Sequence, residues 1–480
     1  MNQYLIKIAR QLKDHQERTL AKMDATGGVI ADHSMGSGKT LLMLTAIERD
    51  QKRNRNSNSL FIAPASLTSN FDKEVAKHGL KIDKSKVEIL SYEKATIDAA
   101  RLRKNKYTMA IADEAQRLRS VGTARHSALS EIISGADKRL LASGTPVYNH
   151  VSDIAPLVNI AAGGHKVLPE GKQAFEKHYV AKKMESAPLL KRILLNAPPK
   201  EVSVLKNKKD LSDRLNTFVE SYDLNSDPKE AKHFPTKSEK IINVEMSDDQ
   251  AMLYKHLEGK LPWRLRLKVR MNSKLSPEET TQLRAFSTGL RQVSNSTSKY
   301  FPSYDKPTPK ISKAVDSIQQ GLETDKNFKA LTYSNFLEGG VGDFSKELTK
   351  RGISHSIYHG GLSKKEKDQI RDDYNSGKNR VMLLTSSGAE GVDTRGVKRI
   401  QILEPHWNAS KIQQVVGRGI RYKSHDDLPE NERHVEVEKY HSVHKADWLG
   451  NRPTSIDEYL YANAEHKNEL GDQLKSLTRS

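Results

Sequence analysis

From residue 28 to about 145, short apolar runs alternate with stretches in which apolar residues recur every three or four positions. GGVIA, SLFIA, KVEIL, TMAIA and KRLLA predict buried strands, while TLLMLTAIERD, NFDKEVAKHG and TARHSALSEII have the helical period. That alternation predicts a parallel sheet covered by helices. The rhythm returns after residue 310, through ISKAVDSIQQGL, KALTYS, FSKELTKRG, SHSIYH, SKKEKDQIRDDY, RVMLLTS, KRIQIL, SKIQQVVGRGI and HVEVEKYHS. Two α/β lobes follow, one over 1–155 and one over 311–445.

Between the lobes the rhythm breaks. Residues 156–310 are richer in Lys, and the flanks around DDQAMLYKHLEGK and PEETTQLRAFSTGLRQV are helical in spacing, so this region reads as helical protrusions and a connector. KHFPTKSEKIINVEMS predicts a strand near 238–246, assigned to the first lobe. WRLRLKVR, from Trp263 to Arg270, alternates apolar and basic residues with period two, which by pattern alone predicts a strand. In the tail, over 446–480, Ser455 precedes Asp457 and Glu458 and predicts a helix start; the helix is expected to brace the second lobe.

Four constellations bear chemistry. The first is ADHSMGSGKT, Ala31 to Thr40, between an apolar run and a helical stretch. Gly36 and Gly38 let backbone N–H groups approach a polyphosphate, Lys39 can reach the β- and γ-phosphates, and Thr40 can hold a magnesium ion. His33 stands where the strict pattern has its first glycine. The second is TMAIADEAQRLRS, a strand ending in Asp113 and Glu114, at the edge where an open α/β sheet places its ligands. Asp113 suits the metal shell, and Glu114 suits orientation and deprotonation of an attacking water. The third is LLASGTPVYN, whose hydroxyls at Ser143 and Thr145 can sense the nucleotide. The fourth is IQQVVGRGIRY, with Gln414, Gly417, Arg418 and Arg421; arginines three apart on a helix share a face and can both neutralise developing phosphoryl charge.

Composition narrows the partners. Lys and Arg number 79 against 60 Asp and Glu, giving +19, the excess of a protein that follows a polyanion, although a solvated basic surface has the same balance. The absence of cysteine removes disulfides, iron–sulfur clusters, thiolate zinc sites and thiol redox chemistry. No apolar run approaches the ~18 residues needed to cross a bilayer, and the amino terminus lacks a signal-peptide core. An intracellular protein is expected, with no membrane partner.

In their order, HSMGSGKT, FIAPASLTSNFDKEV, VEILSYEK, DEAQ, SGTP, KALTYSNF, TSSGAEGVD and QVVGRGIR resemble superfamily 2 helicases and translocases of the Swi/Snf-type branch. Within that branch the chain is most similar to compact viral and phage members, the poxvirus nucleoside triphosphatase and phage branch-migration enzymes, through FPTKSEKIINVEMSDDQ, LRQVSNS, SHDDLPENERHVEV and TSIDEYLY. The resemblance implies two RecA-like lobes with helical insertions, ATP and Mg2+ in a cleft, and DNA across both lobes. It implies ATP contacts at Gln16, Gly36, Ser37, Gly38, Lys39, Thr40, Gly391, Asp393 and Gln414, magnesium at Thr40 and Asp113, and catalytic roles for Lys39, Asp113, Glu114, Arg418 and Arg421. DNA contacts fall on Pro64, Ser66, Ser69, Ser334, Asn335, Thr385 and Ser387, small polar residues suited to phosphate and not to base reading.

Gln116 departs from the branch, which usually has His there. The expectation is an ATP-driven motor on duplex, forked or junction DNA, remodelling forks by branch migration alongside replication or recombination proteins, or else acting on RNA polymerase; for a viral or phage protein the place is the host cytoplasm. A DNA-binding regulator with a vestigial ATPase is the reading of another class, and a P-loop metabolic kinase would leave the second lobe without a role.

Overall fold

The computed structural model describes residues 12–144, 150–185, 200–301, 306–386, 388, 392–407 and 409–478. The chain divides into two units, Met1–Leu224 with Lys467–Ser480, and Asn225–His466. Each is built on a six-stranded sheet.

In the first unit the strands are β1 (Gly28–His33), β2 (Ser59–Ala63), β3 (Val87–Ser91), β4 (Met109–Asp113), β5 (Lys138–Ser143) and β8 (Val219–Tyr222), in the order β3-β2-β4-β5-β1-β8 and all parallel. β6 (Val180–Glu185) and β7 (Lys200–Leu205) form a separate antiparallel pair. Because side chains alternate along a strand, each central strand feeds two cores. Val29, Ala31, Phe61, Met109, Ile111 and Leu140 face the helix α2 (Lys39–Arg53) through Leu42, Met43, Ala46 and Ile47. Ile30, Leu60, Ile62, Ala110, Ala112 and Leu141 face the other way, onto Leu129, Ile133, Leu157, Val158, Leu211 and Leu215. The helix α1 (Asp14–Thr26) adds Leu20 and Met23 to the α2 side.

The second sheet is also all parallel: β9 (Thr236–Glu245), β10 (Ala330–Ser334), β11 (Ser356–Tyr358), β12 (Val381–Thr385), β13 (Arg399–Ile402) and β14 (His434–Val443), ordered β11-β12-β10-β13-β14-β9. α9 (Pro309–Thr324) packs on one face through Ile311, Ala314, Val315 and Ile318. α10 (Ala409–Gly419) packs on the other through Val415 and Val416. Beside the sheet, α6 (Asp248–Glu258), α7 (Trp263–Arg270) and α8 (Pro277–Asn295) form a helical module, closed by Ile456, Tyr459 and Leu460 of α11 (Ile456–Thr478).

Four sequence expectations change. The strand near 238–246 exists, but β9 pairs over its whole length with β14 and so is the edge of the second sheet. The first unit does not end at 155: Leu157, Val158, Phe175, Leu211, Leu215 and Val219 belong to its core. WRLRLKVR is helical, since Leu265 and Val269, four apart, both enter the module's core. The terminal helix serves both units, with Ile456 and Leu460 in the module and Leu474 in the core of the first unit. Among the described residues no helix is long and apolar enough to cross a membrane.

One ion pair ties the second unit together. Lys310, at the start of α9, and Asp457, at the start of α11, have fully buried side chains with Nζ and Oδ2 2.7 Å apart. Lys310 Nζ also donates to Asn295 Oδ1 (3.1 Å) and to the Leu403 carbonyl (2.9 Å), and the Ser442 N–H donates to Asp457 Oδ2 (2.9 Å). Two sheet strands' ends, the module and the terminal helix meet there. Asp457→Ala leaves the ammonium uncompensated, and we expect a loss of about 3–5 kcal/mol, read as a lower urea midpoint of unfolding. Lys310→Met with Asp457→Leu removes both charges and should lose less.

Candidate ATP site and its partner motifs

In a parallel sheet every strand delivers its following loop to the same edge. In the first unit β1, β4 and β5 are adjacent, in the order β4-β5-β1, so the loops after His33, Asp113 and Ser143 share one edge. The phosphate loop runs from Ser34 to Gly38 and ends in α2. Gly36 and Gly38 both have φ +84°, the left-handed region glycine enters at little cost. At Gly38 a Cβ would also lie 2.6 Å from Gln16 Nε2. His33 needs no such freedom, because it is the last residue of β1.

His33 is instead an anchor. It is fully buried, with Nε2 3.1 Å from Thr19 Oγ1 of α1, and its ring meets those of His15 and Tyr222 edge-on. Burial, with the charges of His15, Lys39 and Arg18 adding to it, pushes its pKa down to about 2, so the ring is neutral. His15 stacks on Tyr222 at 3.6 Å and its Nε2 donates to the Ser37 carbonyl (3.0 Å). Gln16 Nε2 donates to the carbonyls of Gly38 (3.0 Å) and Ser37 (3.3 Å), while its Oε1 accepts the Lys13 N–H (2.9 Å). The residue expected at the adenine thus holds the loop from behind. His15, Thr19 and Tyr222 had no motif to mark them; their signal is spatial.

Lys39 turns back on its own loop, donating to the carbonyls of His33 (2.7 Å) and Ser34 (3.0 Å). Burial lowers its pKa, against the opposing pull of Glu114, Asp113 and Asp32. Thr40 follows it in the first turn of α2, where N–H groups and the helix dipole favour an anion.

Asp113 closes β4, and its backbone carbonyl accepts the Tyr92 hydroxyl at 2.7 Å. Burial raises its carboxyl to about 7, with Glu114 adding to the rise and Lys39 opposing it. Glu114 has φ +52°, ψ +46°, a left-handed conformation on a residue with a Cβ. Gln116 Nε2 donates to Glu114 Oε2, and Gln116 Oε1 accepts the Ser143 hydroxyl at 2.7 Å. Ser143, Gln116 and Glu114 therefore form a chain joining the third constellation to the second, and Gln116 is spent inside this unit. Thr145 and Pro146 lie outside the described residues.

In the second unit, Arg421 Nη1 lies 2.9 Å from Asp393 Oδ1, and Arg421 Nε donates to the Gly417 carbonyl (3.1 Å). α10 ends at Gly419, so Arg421 sits past the helix and reaches back; it does not share a helical face with Arg418. A Cβ at Gly419 would lie 2.8 Å from Ile400 Cδ1, so a larger residue there would displace that side chain. The Arg418 carbonyl accepts the Thr394 hydroxyl (2.8 Å), and Gln414 is half-buried on the same helix. Gly391 and Ser387 lie outside the described residues.

The expected DNA contacts separate into two groups. Pro64, directly after β2, is half-buried, Ser69, past the short helix Ala65–Thr68, is exposed, and the side chain of Ser66 is not described. Ser334 is fully buried, with its hydroxyl 3.0 Å from Glu404 Oε2, and Thr385 is 5% exposed. Those two cannot touch a phosphate as they stand. Asn335 is more open, yet its N–H (2.5 Å) and Nδ2 (3.0 Å) both donate to Glu404 Oε1. Glu404, itself fully buried and also bound by Asn295 Nδ2 at 2.6 Å, fixes the turn after β10, a role the sequence did not reveal.

Family profiles match along most of the chain. The SNF2-related domain matches residues 80–299, the helicase conserved C-terminal domain 311–423, and the type III restriction enzyme res subunit 2–147. A putative ATP-dependent RNA helicase of Acanthamoeba polyphaga mimivirus is 30% identical over 479 residues, covering 97% of this chain and 96% of the relative. The chain belongs to the viral-type superfamily 2 helicases. As a member it is an ATP-hydrolysing helicase or translocase. This helicase is also 24% identical to a termination factor NPH-I homolog of African swine fever virus over 569 residues, covering 95% of this chain and 76% of that one. Among solved structures it is similar to the SWI2/SNF2 ATPase core domain of Sulfolobus solfataricus, at 18% identity over 90% of this chain and 86% of that chain, with a TM-score of 0.38.

The carboxyl of Asp113 gives a pH test. Its pKa, about 7 in the folded helicase, lies above that of the unfolded chain, so the folded form takes up the extra proton and is stabilised below the window. Stability should fall as pH rises from about 4 to 7 and then level off for this group. With nucleotide and divalent cation omitted, melting temperatures of wild type should decline over that window relative to Asp113→Asn. Parallel curves would contradict the assignment.

Proposed function

We propose that this helicase is a DNA-dependent ATP motor that moves along duplex DNA and displaces what is bound there, with a transcription complex as its target. The observation that carries the motor reading is the division of phosphoryl-transfer groups between the units. The phosphate loop, Lys39, Asp113 and Glu114 belong to the first, and Arg418 and Arg421 to the second. Neither half suffices for hydrolysis, so turnover requires both, and a cycle of joining and parting can be converted into movement.

In this reading Gly36, Ser37, Gly38 and the first turn of α2 cradle the phosphates, and Lys39 leaves the His33 and Ser34 carbonyls to meet them. Gln16 releases the loop carbonyls when it turns to the adenine, and Gln414 and Gly391 border the nucleotide from the second unit. Glu114 orients and deprotonates the water, held by Gln116. Asp393 presents Arg421, and Arg418 completes the pair that neutralises the γ-phosphate. Mg2+ fits the donor set: Asp113 and Glu114 are adjacent carboxyls whose mutual repulsion helps raise Asp113, and a divalent cation relieves that repulsion. Asp113 and the Thr40 hydroxyl would hold it, and it supplies neutralisation of phosphate charge.

Pro64, Ser66 and Ser69 in the first unit and Asn335 and Ser387 in the second contact the DNA backbone, while Ser334 and Thr385 shape the turns behind. The surplus of 19 positive charges supports a polyanionic track. A transcription target is supported by similarity along 95% of this chain to a viral protein named a termination factor. Branch migration at forks and junctions is the competing task.

Lys39→Ala should lower DNA-stimulated phosphate release by more than about a hundredfold and leave DNA binding at low salt within about twofold. Normal hydrolysis by that variant under saturating DNA would overturn the site. Release of a stalled transcript, compared with resolution of a four-way junction by the same preparation, decides the task.

A further inference from the structure

One face of α7 is buried and the other is open. Leu265 and Val269 are each 2% exposed and pack among Leu253, Tyr254, Leu261 and Leu283. On the opposite side Trp263 is 64% exposed, Leu267 49% and Met271 68%. Residues four apart on a helix are neighbours, so these three form one continuous ridge. A row of three at one-turn intervals is not the scattered exposure of an ordinary surface.

The ridge is basic as well as apolar. Between Gly259 and Leu275 the chain has Lys260, Arg264, Arg266, Lys268, Arg270 and Lys274 and no acidic residue. Two of these serve the module: Arg270 pairs with Glu258 at 2.5 Å and Lys268 with Glu279 at 2.6 Å. Arg264 lies over the Trp263 indole, 5.3 Å from the ring centroid. An exposed indole topped by a guanidinium, on an apolar ridge with positive flanks, suits a polyanion that also offers flat apolar faces. Unpaired nucleic acid is that ligand. Its bases stack on aromatic side chains and arginine planes while basic residues meet the phosphates. A duplex keeps its base faces inside the stack and would leave Trp263, Leu267 and Met271 without a role.

We propose that the outer face of α7 binds unpaired nucleotides, with Trp263 as the stacking platform and Arg264, Arg266 and Lys260 as phosphate contacts. The proposal rests on the nucleic-acid motor reading and extends it by giving unpaired nucleotides, such as those of a transcription complex, a binding face on the second unit. Trp263 and Arg264 take no part in hydrolysis.

The test uses the full chain and fluorescein-labelled oligothymidylate, with a duplex of equal length as control. Trp263→Ala should weaken single-strand binding about tenfold and duplex binding by less than about twofold, and Trp263→Phe should restore most of the loss. Arg264→Ala with Arg266→Ala should flatten the salt dependence of single-strand binding. Unchanged single-strand affinity in Trp263→Ala, or an equal loss on both DNA forms, overturns the proposal. So does loss of self-association or of binding to anionic phospholipid vesicles in that variant with oligonucleotide affinity intact. The motor reading fails separately, if no nucleic acid stimulates wild-type ATP hydrolysis; duplex-stimulated hydrolysis in Trp263→Ala equal to wild type keeps the two apart.

Discussion

A parallel strand cannot return to its neighbour through a tight turn, and that constraint organises this protein. Each strand of the two six-stranded sheets must be followed by a crossover, and all the loops that leave the strands' carboxyl ends gather on one edge of their sheet. The phosphate loop, the Asp113–Glu114 pair and Ser143 are brought together by this rule alone, though they are far apart in sequence. The second sheet obeys it too: Asn335 and Glu404 follow β10 and β13, adjacent strands, and their hydrogen bonds form across that edge.

Polar networks then set what the edge can do. Behind the phosphate loop, α1 holds carbonyls with His15 and Gln16, and His33 is kept neutral by burial. Behind Glu114 stands the chain through Gln116 to Ser143. In the second unit the Lys310–Asp457 pair and the Glu404 cluster share Asn295, whose Oδ1 accepts from Lys310 and whose Nδ2 donates to Glu404. One amide therefore joins the structural ion pair to the turn proposed to meet DNA. Buried groups of this kind tolerate few alternatives, because each lost partner leaves a desolvated charge or donor.

How much was legible in the sequence follows from what each signal depends on. The phosphate loop was readable because its chemistry is local: two glycines, a lysine and a hydroxyl within a few residues. Strand existence was readable for the same reason, but β9 went to the wrong sheet because a strand's partner is not encoded in its own alternation. WRLRLKVR misled because eight residues with apolar positions at 263, 265, 267 and 269 satisfy a period of two, while the burial that decides the matter involves only Leu265 and Val269. Ser334 fitted a phosphate contact by residue type; its burial under Glu404 has no local signature. Arg421 was placed on a helical face because the apolar spacing of IQQVVGRGI was carried past Gly419, where the helix ends and the glycine itself is the stop signal.

The backbone of Glu114 has a consequence of a different sort. A left-handed conformation on a residue with a Cβ costs roughly 1–2 kcal/mol, and glycine or asparagine would relieve it. Any substitution that relaxes this backbone also removes the carboxylate proposed to act on the water, so stability and activity are opposed at this one position.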